Sequence, residues 1–258
     1  MTIQEMNERK AELGYTNERI SELSGVSIST VQRVLSGSPY RPRYETREAL
    51  ESVLRVGEEA VSYKAKRRGD YTLKDYYALP EDIRAELIDG QIFIMEAPTN
   101  IHQYVLSELV YLLNSHIKSH DGDCMVFPAP CDVQLDCDDR TMVEPDIVVV
   151  CDRRKVRRKV VYGAPDLIME ITSPSTRSRD MSYKVHKYQS AGVREYWIIE
   201  PDRKRVLVYD FAGKDFLSIY GFGTAVPVRI YGGECLIDFQ VIYDNMRFMY
   251  EEAEDEEE

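Results

Sequence analysis

The apolar positions of this chain change their period once, near residue 70, and that change divides what it can fold into. Before it, apolar residues recur every three or four positions, as in helices that bury one face. After it, short apolar runs alternate with turn signals and two longer helical stretches, which suits a mixed α/β domain. A chain of 258 residues has room for one small domain and one of medium size.

The first part reads as helices throughout. Thr2 with Glu5 makes a capping box, Ile3, Met6 and Leu13 share a face, and Gly14 ends the first helix. Thr16 caps a second helix carrying Ile20 and Leu23, and Ser24-Gly25 makes a tight turn. Ser27 caps a third, with Ile28, Val31, Val34 and Leu35 inward and Ser36-Gly37 as its stop. Thr46 opens a fourth, with Leu50, Val53 and Leu54 on its buried side. A polar, basic linker follows over 61–70.

Helix 16–23, turn 24–26 and helix 27–35 have helix-turn-helix spacing. With its apolar positions packed inward, the third helix presents Ser29, Thr30, Gln32 and Arg33 outward, suited to base edges and phosphates. Arg41 and Arg43 follow, placed to meet the phosphate backbone. The run from Gly14 to Gly37 resembles the phage-repressor-like (Xre-type) helix-turn-helix family, which implies a DNA-binding domain over 1–60. Local charge over 1–70 is near neutral, so a small helical bundle for protein contacts stays open as the alternative.

The net charge of −12 argues against nucleic acid as a partner until its distribution is considered. Residues 251–258 carry seven of those charges, and −5 remains without them. That segment, within a tail over 247–258, is low in complexity and expected to be disordered. No apolar run approaches the roughly 20 residues of a membrane span, and the N-terminus lacks a signal peptide's apolar core. Five cysteines without Cys-x-x-Cys spacing suggest neither a disulfide framework nor zinc, and fit small side chains in a reducing cytosol.

Beyond residue 70, Ala85–Ile88 and Gln91–Met95 flank Asp89-Gly90, a two-residue hairpin signal. A helix is expected over 101–116, with Val105, Leu109, Leu112 and Leu113 on one side. Strands are expected near 125–135, 146–150, 167–172, 195–200 and 205–209, a second helix over 179–191, and further β structure to about Val241. Trp197 and Tyr196 read as core.

Two acids interrupt this apolar pattern. Asp146 stands at the mouth of a buried strand. In 166–172, Leu167, Met169 and Ile171 face one side while Ile168, Glu170 and Thr172 face the other. Half-buried acids need a donor or a cation, and an oxygen-only pair selects Mg²⁺ or Mn²⁺ over zinc.

The wider series is Glu86-Leu-Ile-Asp-Gly90, Pro98-Thr-Asn-Ile-His102, Glu144-Pro-Asp-Ile-Val-Val149 and Met169-Glu-Ile-Thr-Ser-Pro-Ser-Thr176. Asp180, Lys184 and Tyr188 then repeat every four residues, ahead of Gly192-Val-Arg-Glu-Tyr-Trp-Ile-Ile-Glu-Pro201. This series resembles the Uma-type branch of the restriction-endonuclease-like, PD-(D/E)XK superfamily. The resemblance implies an α/β domain over 71–246, a mixed sheet flanked by helices, following the all-α domain. It further implies a Mg²⁺-dependent phosphodiesterase site and a homodimer; with the reading helix, the oxygen donors and the cysteine pattern, the expectation is a cytoplasmic endonuclease acting on DNA with Mg²⁺ or Mn²⁺. Asp146 and Glu170 would hold the metal, Glu86 would complete the acidic cluster, and Lys184 would act on the water or the phosphate. The superfamily lysine normally lies two residues past the strand glutamate, where this chain has Thr172, so Lys184 on the following helix replaces it, with Lys187 second.

His102 could line the site or simply cap its helix, and the basic run Arg153–Lys159 could grip phosphates or be a solvated loop. Ser173 and Ser175 read as loop or cap residues. The competing function is a DNA-binding regulator that does not cut, with a nuclease-like domain for dimerisation or sensing.

Overall fold

The computed structural model describes residues 1–37, 42–54, 69–80, 83–95, 97–172, 177, 179–213 and 215–250. Arg41, Ser173, Ser175, most of the expected linker and the acidic segment 251–258 lie outside the described residues. The chain divides into two compact units, Met1–Met95 and Glu96–Glu258.

The first unit holds α1 (Ile3–Glu12), α2 (Asn17–Ser24), α3 (Ile28–Leu35), α4 (Tyr44–Leu54), the short α5 (Leu73–Tyr76), β1 (Ala85–Ile88) and β2 (Gln91–Ile94). The Thr2–Glu5 capping box starts α1, and Thr16 accepts from the Arg19 amide to start α2. Gly25 ends α2 in the left-handed region at φ 70°, where a side chain would be strained. Met6, Ile20, Val31, Val34, Leu35, Leu50 and Leu54 form one buried cluster.

Three local expectations need correction. Ile28 is 38% exposed, because it opens α3 and the buried stripe begins a turn later at Val31. Ser27 occupies the N-cap position without capping a backbone amide; its hydroxyl is shared with those of Ser29 and Thr30, at 3.2 and 2.9 Å. The fourth helix starts at Tyr44, its first helical bond running from the Arg47 amide to the Arg43 carbonyl, behind Pro42.

β1 and β2 pair antiparallel across Asp89 and Gly90, whose φ values of 48° and 74° match a turn with two left-handed residues. The Tyr71 amide donates to the Gly90 carbonyl, and its hydroxyl donates to Glu48 on α4. The hairpin falls in the compact unit Met1–Met95.

The second unit is built on a sheet of order β10-β9-β8-β7-β5-β3 among the described residues. These strands are β3 (Met125–Pro128), β5 (Ile147–Val150), β7 (Leu167–Ile171), β8 (Glu195–Glu200), β9 (Arg205–Asp210) and β10 (Leu217–Gly221). β7 and β8 run parallel, and the other neighbours run antiparallel, so the sheet is mixed. Two small pairs complete the β structure: β4 (Val133–Gln134) with β6 (Val161–Tyr162), and β11 (Val226–Val228) with β12 (Cys235–Ile237).

One face of the sheet presents Ile147, Val149, Leu167, Met169, Ile171, Trp197 and Ile199. They pack in one core with Val105, Leu109 and Leu113 of α6 (Asn100–Ser119) and with Phe239, Ile242 and Met246 of α8 (Phe239–Met246). The other face meets a π-helical segment, Arg179–Lys184, that continues into α7 (Val185–Ala191).

Two expectations fail in this unit. The segment at Phe239–Val241 is helical, because Asp238 accepts from the Gln240 and Val241 amides and Phe239, Ile242 and Met246 recur at helical spacing. Cys124 and Cys151 are joined in a disulfide. They are 27 residues apart in sequence, but the antiparallel register that pairs Met125 with Val150 brings them opposite each other one step on.

Trp197 is the chain's one tryptophan and lies in the second unit's core, so its fluorescence reports that unit. Leu109→Ala, at a fully buried position, is expected to destabilise it by about 2–5 kcal/mol. Tyr111→Ala, two residues further on and on the exposed side of α6, should stay within about 0.5 kcal/mol. Equal urea midpoints for the two variants would contradict the packing of α6.

Candidate metal and phosphate site

Asp146 lies one residue before β5, whose four residues are all buried. Its own carboxylate is almost fully buried and so requires donors. Oδ2 accepts the Ile171 amide at 2.7 Å, and Oδ1 lies 3.0 Å from His102 Nε2. His102 is on the first turn of α6, where Thr99 caps the helix through the His102 amide. Its other ring nitrogen, Nδ1, is buried with no hydrogen-bond partner among the described residues.

Glu170 is reached through the sheet. Ile147 pairs with Met169, so one further step sets Asp146 across from Glu170. Residues opposite each other in an antiparallel pair share a face, which places both carboxylates on the face away from the α6 core. Glu170 Oε1 accepts from Lys184 Nζ and from the Tyr188 hydroxyl, each at 2.8 Å. The same ammonium lies 3.7 Å from Asp180 Oδ1. Tyr188 is braced edge-on by Tyr196, with ring centroids 4.8 Å apart. The four-residue spacing of Asp180, Lys184 and Tyr188 therefore resolves into one buried network around Glu170.

Lys184, although charged, is 1% exposed. The reason is electrostatic: a buried ammonium needs opposite charge, and two buried carboxylates supply it. Lys187 is held by the Asp136 carboxylate instead. Thr172, at the position of the superfamily lysine, donates its hydroxyl to the Ile199 carbonyl at 3.2 Å. What sequence reasoning missed is the role of Tyr188 as a second donor to Glu170; its one signal was the four-residue spacing. The π-helical form of 179–184 left no such signal.

The other candidates lie on their own elements. Glu86 is on β1 in the first unit, fully buried. Ser29, Gln32 and Arg33 are exposed on α3 with Thr30 half-buried beside them, and Arg43 is exposed just before α4. In the basic run, Arg153 pairs with Asp123, Arg154 with Asp152, and Lys155 donates to the Ala164 carbonyl. Arg157 lies 3.5 Å over the Tyr162 ring. Much of that run is thus engaged within the chain. Burial pushes the Cys131 and Cys235 thiols up to about 11, helped by nearby carboxylates, so neither is a thiolate at neutral pH.

Among the described residues no group of three or more His, Cys, Asp or Glu side chains could hold a metal ion. Mg²⁺ does not require one, since it keeps several waters and takes one or two carboxylates plus substrate phosphate. Asp146 and Glu170, hard oxygen donors at facing register positions, fit that donor chemistry. Among the described residues no helix is long and apolar enough to cross a membrane.

Comparison with known proteins agrees with this architecture. Residues 6–61 match a family model described as "Helix-turn-helix". An uncharacterized protein of Synechocystis sp. is 26% identical over 157 residues, which cover 56% of this chain and 81% of that protein. The crystal structure of "a putative nuclease belonging to DUF820" from Anabaena variabilis aligns with a TM-score of 0.56 at 24% identity. That alignment covers 67% of this chain and 97% of that one, and shows a shared fold. Residues 73–217, more than half of the chain, match the model of the Uma2 family, described as "Putative restriction endonuclease", and the chain belongs to that family.

Proposed function

We propose that this protein is a Mg²⁺-dependent endonuclease that hydrolyses DNA phosphodiester bonds and is directed to its sites by its own helix-turn-helix domain. The observation that carries the reading is the pair of buried carboxylates, Asp146 and Glu170, at facing positions of β5 and β7 with the Lys184 ammonium against Glu170. Family membership supports it, and so does the helix-turn-helix match at residues 6–61.

Asp146 and Glu170 would hold the ion, Mg²⁺ or Mn²⁺, which when bound supplies positive charge to a phosphoryl oxygen and makes water a stronger acid. The chain's own groups do the rest. The Ile171 amide and His102 orient the Asp146 carboxylate. Tyr188 and Lys184 orient Glu170, and the lysine leaves a fixed positive charge where a phosphate becomes more anionic in the transition state. Ser29, Thr30, Gln32, Arg33 and Arg43 make the reading surface. Two copies, one per strand, suit the two-fold symmetry of duplex DNA.

The decisive experiment incubates the full chain with plasmid DNA in Mg²⁺, Mn²⁺ or EDTA. Cleavage in the metal buffers alone is expected, and intact DNA throughout would reject the reading. Asp146→Asn keeps an acceptor for the Ile171 amide, so it should unfold near the wild-type urea midpoint. Its cleavage should drop by about 100-fold or more. Wild-type turnover in that variant would remove Asp146 from the site.

Lys184→Ala tests the network differently. It leaves the buried Glu170 without its cation, at an expected cost of about 3–5 kcal/mol in metal-free buffer. A Trp197-monitored midpoint close to wild type would show that Lys184 does not hold Glu170 in solution. For the reading head, Gln32→Ala and Arg33→Ala should each lose about 1–3 kcal/mol of discrimination between preferred and random sites. Gel-shift selections that return the same preferred sites for these variants as for wild type would count against α3 as the reading helix.

A further inference from the structure

At the end of β8 a single carboxylate gathers three arginines. Glu200 is 2% exposed, and its Oε1 accepts from Arg177 Nε at 2.5 Å. Arg205 Nε donates to Oε2, and Arg203 Nε lies 3.6 Å from Oε1. Burial pushes the Glu200 carboxyl up, but the hydrogen bonds from Arg205 and Arg177 outweigh it and hold the group below its usual range. One carboxylate balances one guanidinium, so the cluster carries an excess of two positive charges. The arginine side chains are 32%, 56% and 31% exposed for Arg177, Arg203 and Arg205. The contacts found for them among the described residues run through Nε to Glu200.

The sheet places this cluster beside the carboxylate pair. Glu170 pairs with Ile198, and Glu200 is two residues further along β8 on the same face, about 7 Å on at the usual rise. Arg205 is the register partner of Glu200 on β9. Arg203 sits in the single 3₁₀ turn Pro201–Arg203 that joins the two strands. Glu200 thus acts as a buried anchor that fans three planar, permanently charged forks over the same face as Asp146 and Glu170. Such forks match phosphate oxygens two at a time.

We propose that Arg177, Arg203 and Arg205, organised by Glu200, form a binding site for the phosphodiester backbone of the nucleic acid next to the bond that is cut. The proposal rests on the nuclease reading and extends it to residues that neither the motifs nor the basic run Arg153–Lys159 pointed to. The contact is to the backbone, so it is independent of base sequence, and each phosphate it neutralises adds to the salt dependence of binding.

The test measures equilibrium binding by the full-length protein, in EDTA so that nothing is cut, to a labelled duplex of random sequence and to its single strand across a salt series. Arg203→Ala is the primary variant, because Arg177 and Arg205 still hold Glu200 in it. It should weaken binding several-fold at low salt and reduce the slope of log affinity against log salt by about 0.9 for duplex or about 0.7 for single strand. Arg203→Lys should keep the slope, and Arg203→Glu should weaken binding further. Arg177→Ala, checked for folding by Trp197 fluorescence, should repeat the loss. Unchanged affinity and slope in Arg203→Ala and Arg203→Glu on both probes would overturn the proposal, even if the wild-type protein cuts DNA in Mg²⁺. The slope change, seen in a protein that fails to cut, would uphold the phosphate site and reject the nuclease reading alone.

Discussion

The ion pair between Lys184 and Glu170 is the interaction around which the second unit's polar face is arranged. Both groups are buried, and each offsets part of the cost of burying the other's charge. Tyr188 adds a second donor to the same carboxylate oxygen and Asp180 adds a second charge near the ammonium. The pair therefore joins the middle of the sheet to the helix that covers it. A hydrophobic pair of the same volume would pack as well, so stability alone does not account for keeping charge in this place. The proposed contact with a cation and a phosphate would.

What makes the pair useful is the register of three strands. Antiparallel pairing of β5 with β7 sets Asp146 across from Glu170, and parallel pairing of β7 with β8 sets Glu200 further along the same face. A slip of one residue in either ladder would send a carboxylate into the α6 core. That core, with Trp197 and Met169 against Leu109, is what holds the register in place. The apolar face and the charged face are therefore not separate features. Burial on one side determines which acids meet on the other.

Several elements were readable in advance because their signals are local. The hairpin at Asp89-Gly90 follows from two residues that tolerate positive φ, and the caps at Thr2 and Thr16 follow from hydroxyls placed before helical runs. The alternation around Glu170 correctly separated its two faces, since a strand repeats every two residues. The failures share a different cause. Ile28 has the spacing of a core residue but lies beyond the core's edge. Phe239 begins a helix that competes with a β-rich context, and Asp238 decides it by capping. Cys124 and Cys151 meet only because two strands pair.

The sequence by itself determined that a helical part with a turn-separated reading helix precedes an α/β part with acids set into buried strands. Periodicity, caps and turn residues act over a few positions, so they survive without any knowledge of the fold. It also marked Asp146, Glu170 and Lys184 as belonging together, through the order of motifs. Only the tertiary structure decided how they meet: that Lys184 is buried and paired, that His102 and a main-chain amide orient Asp146, and that Arg177, Arg203 and Arg205 converge on Glu200. Those contacts cross between strands and helices distant in the chain. Their distances are set by sheet register and by the burial that holds it, which no local pattern encodes.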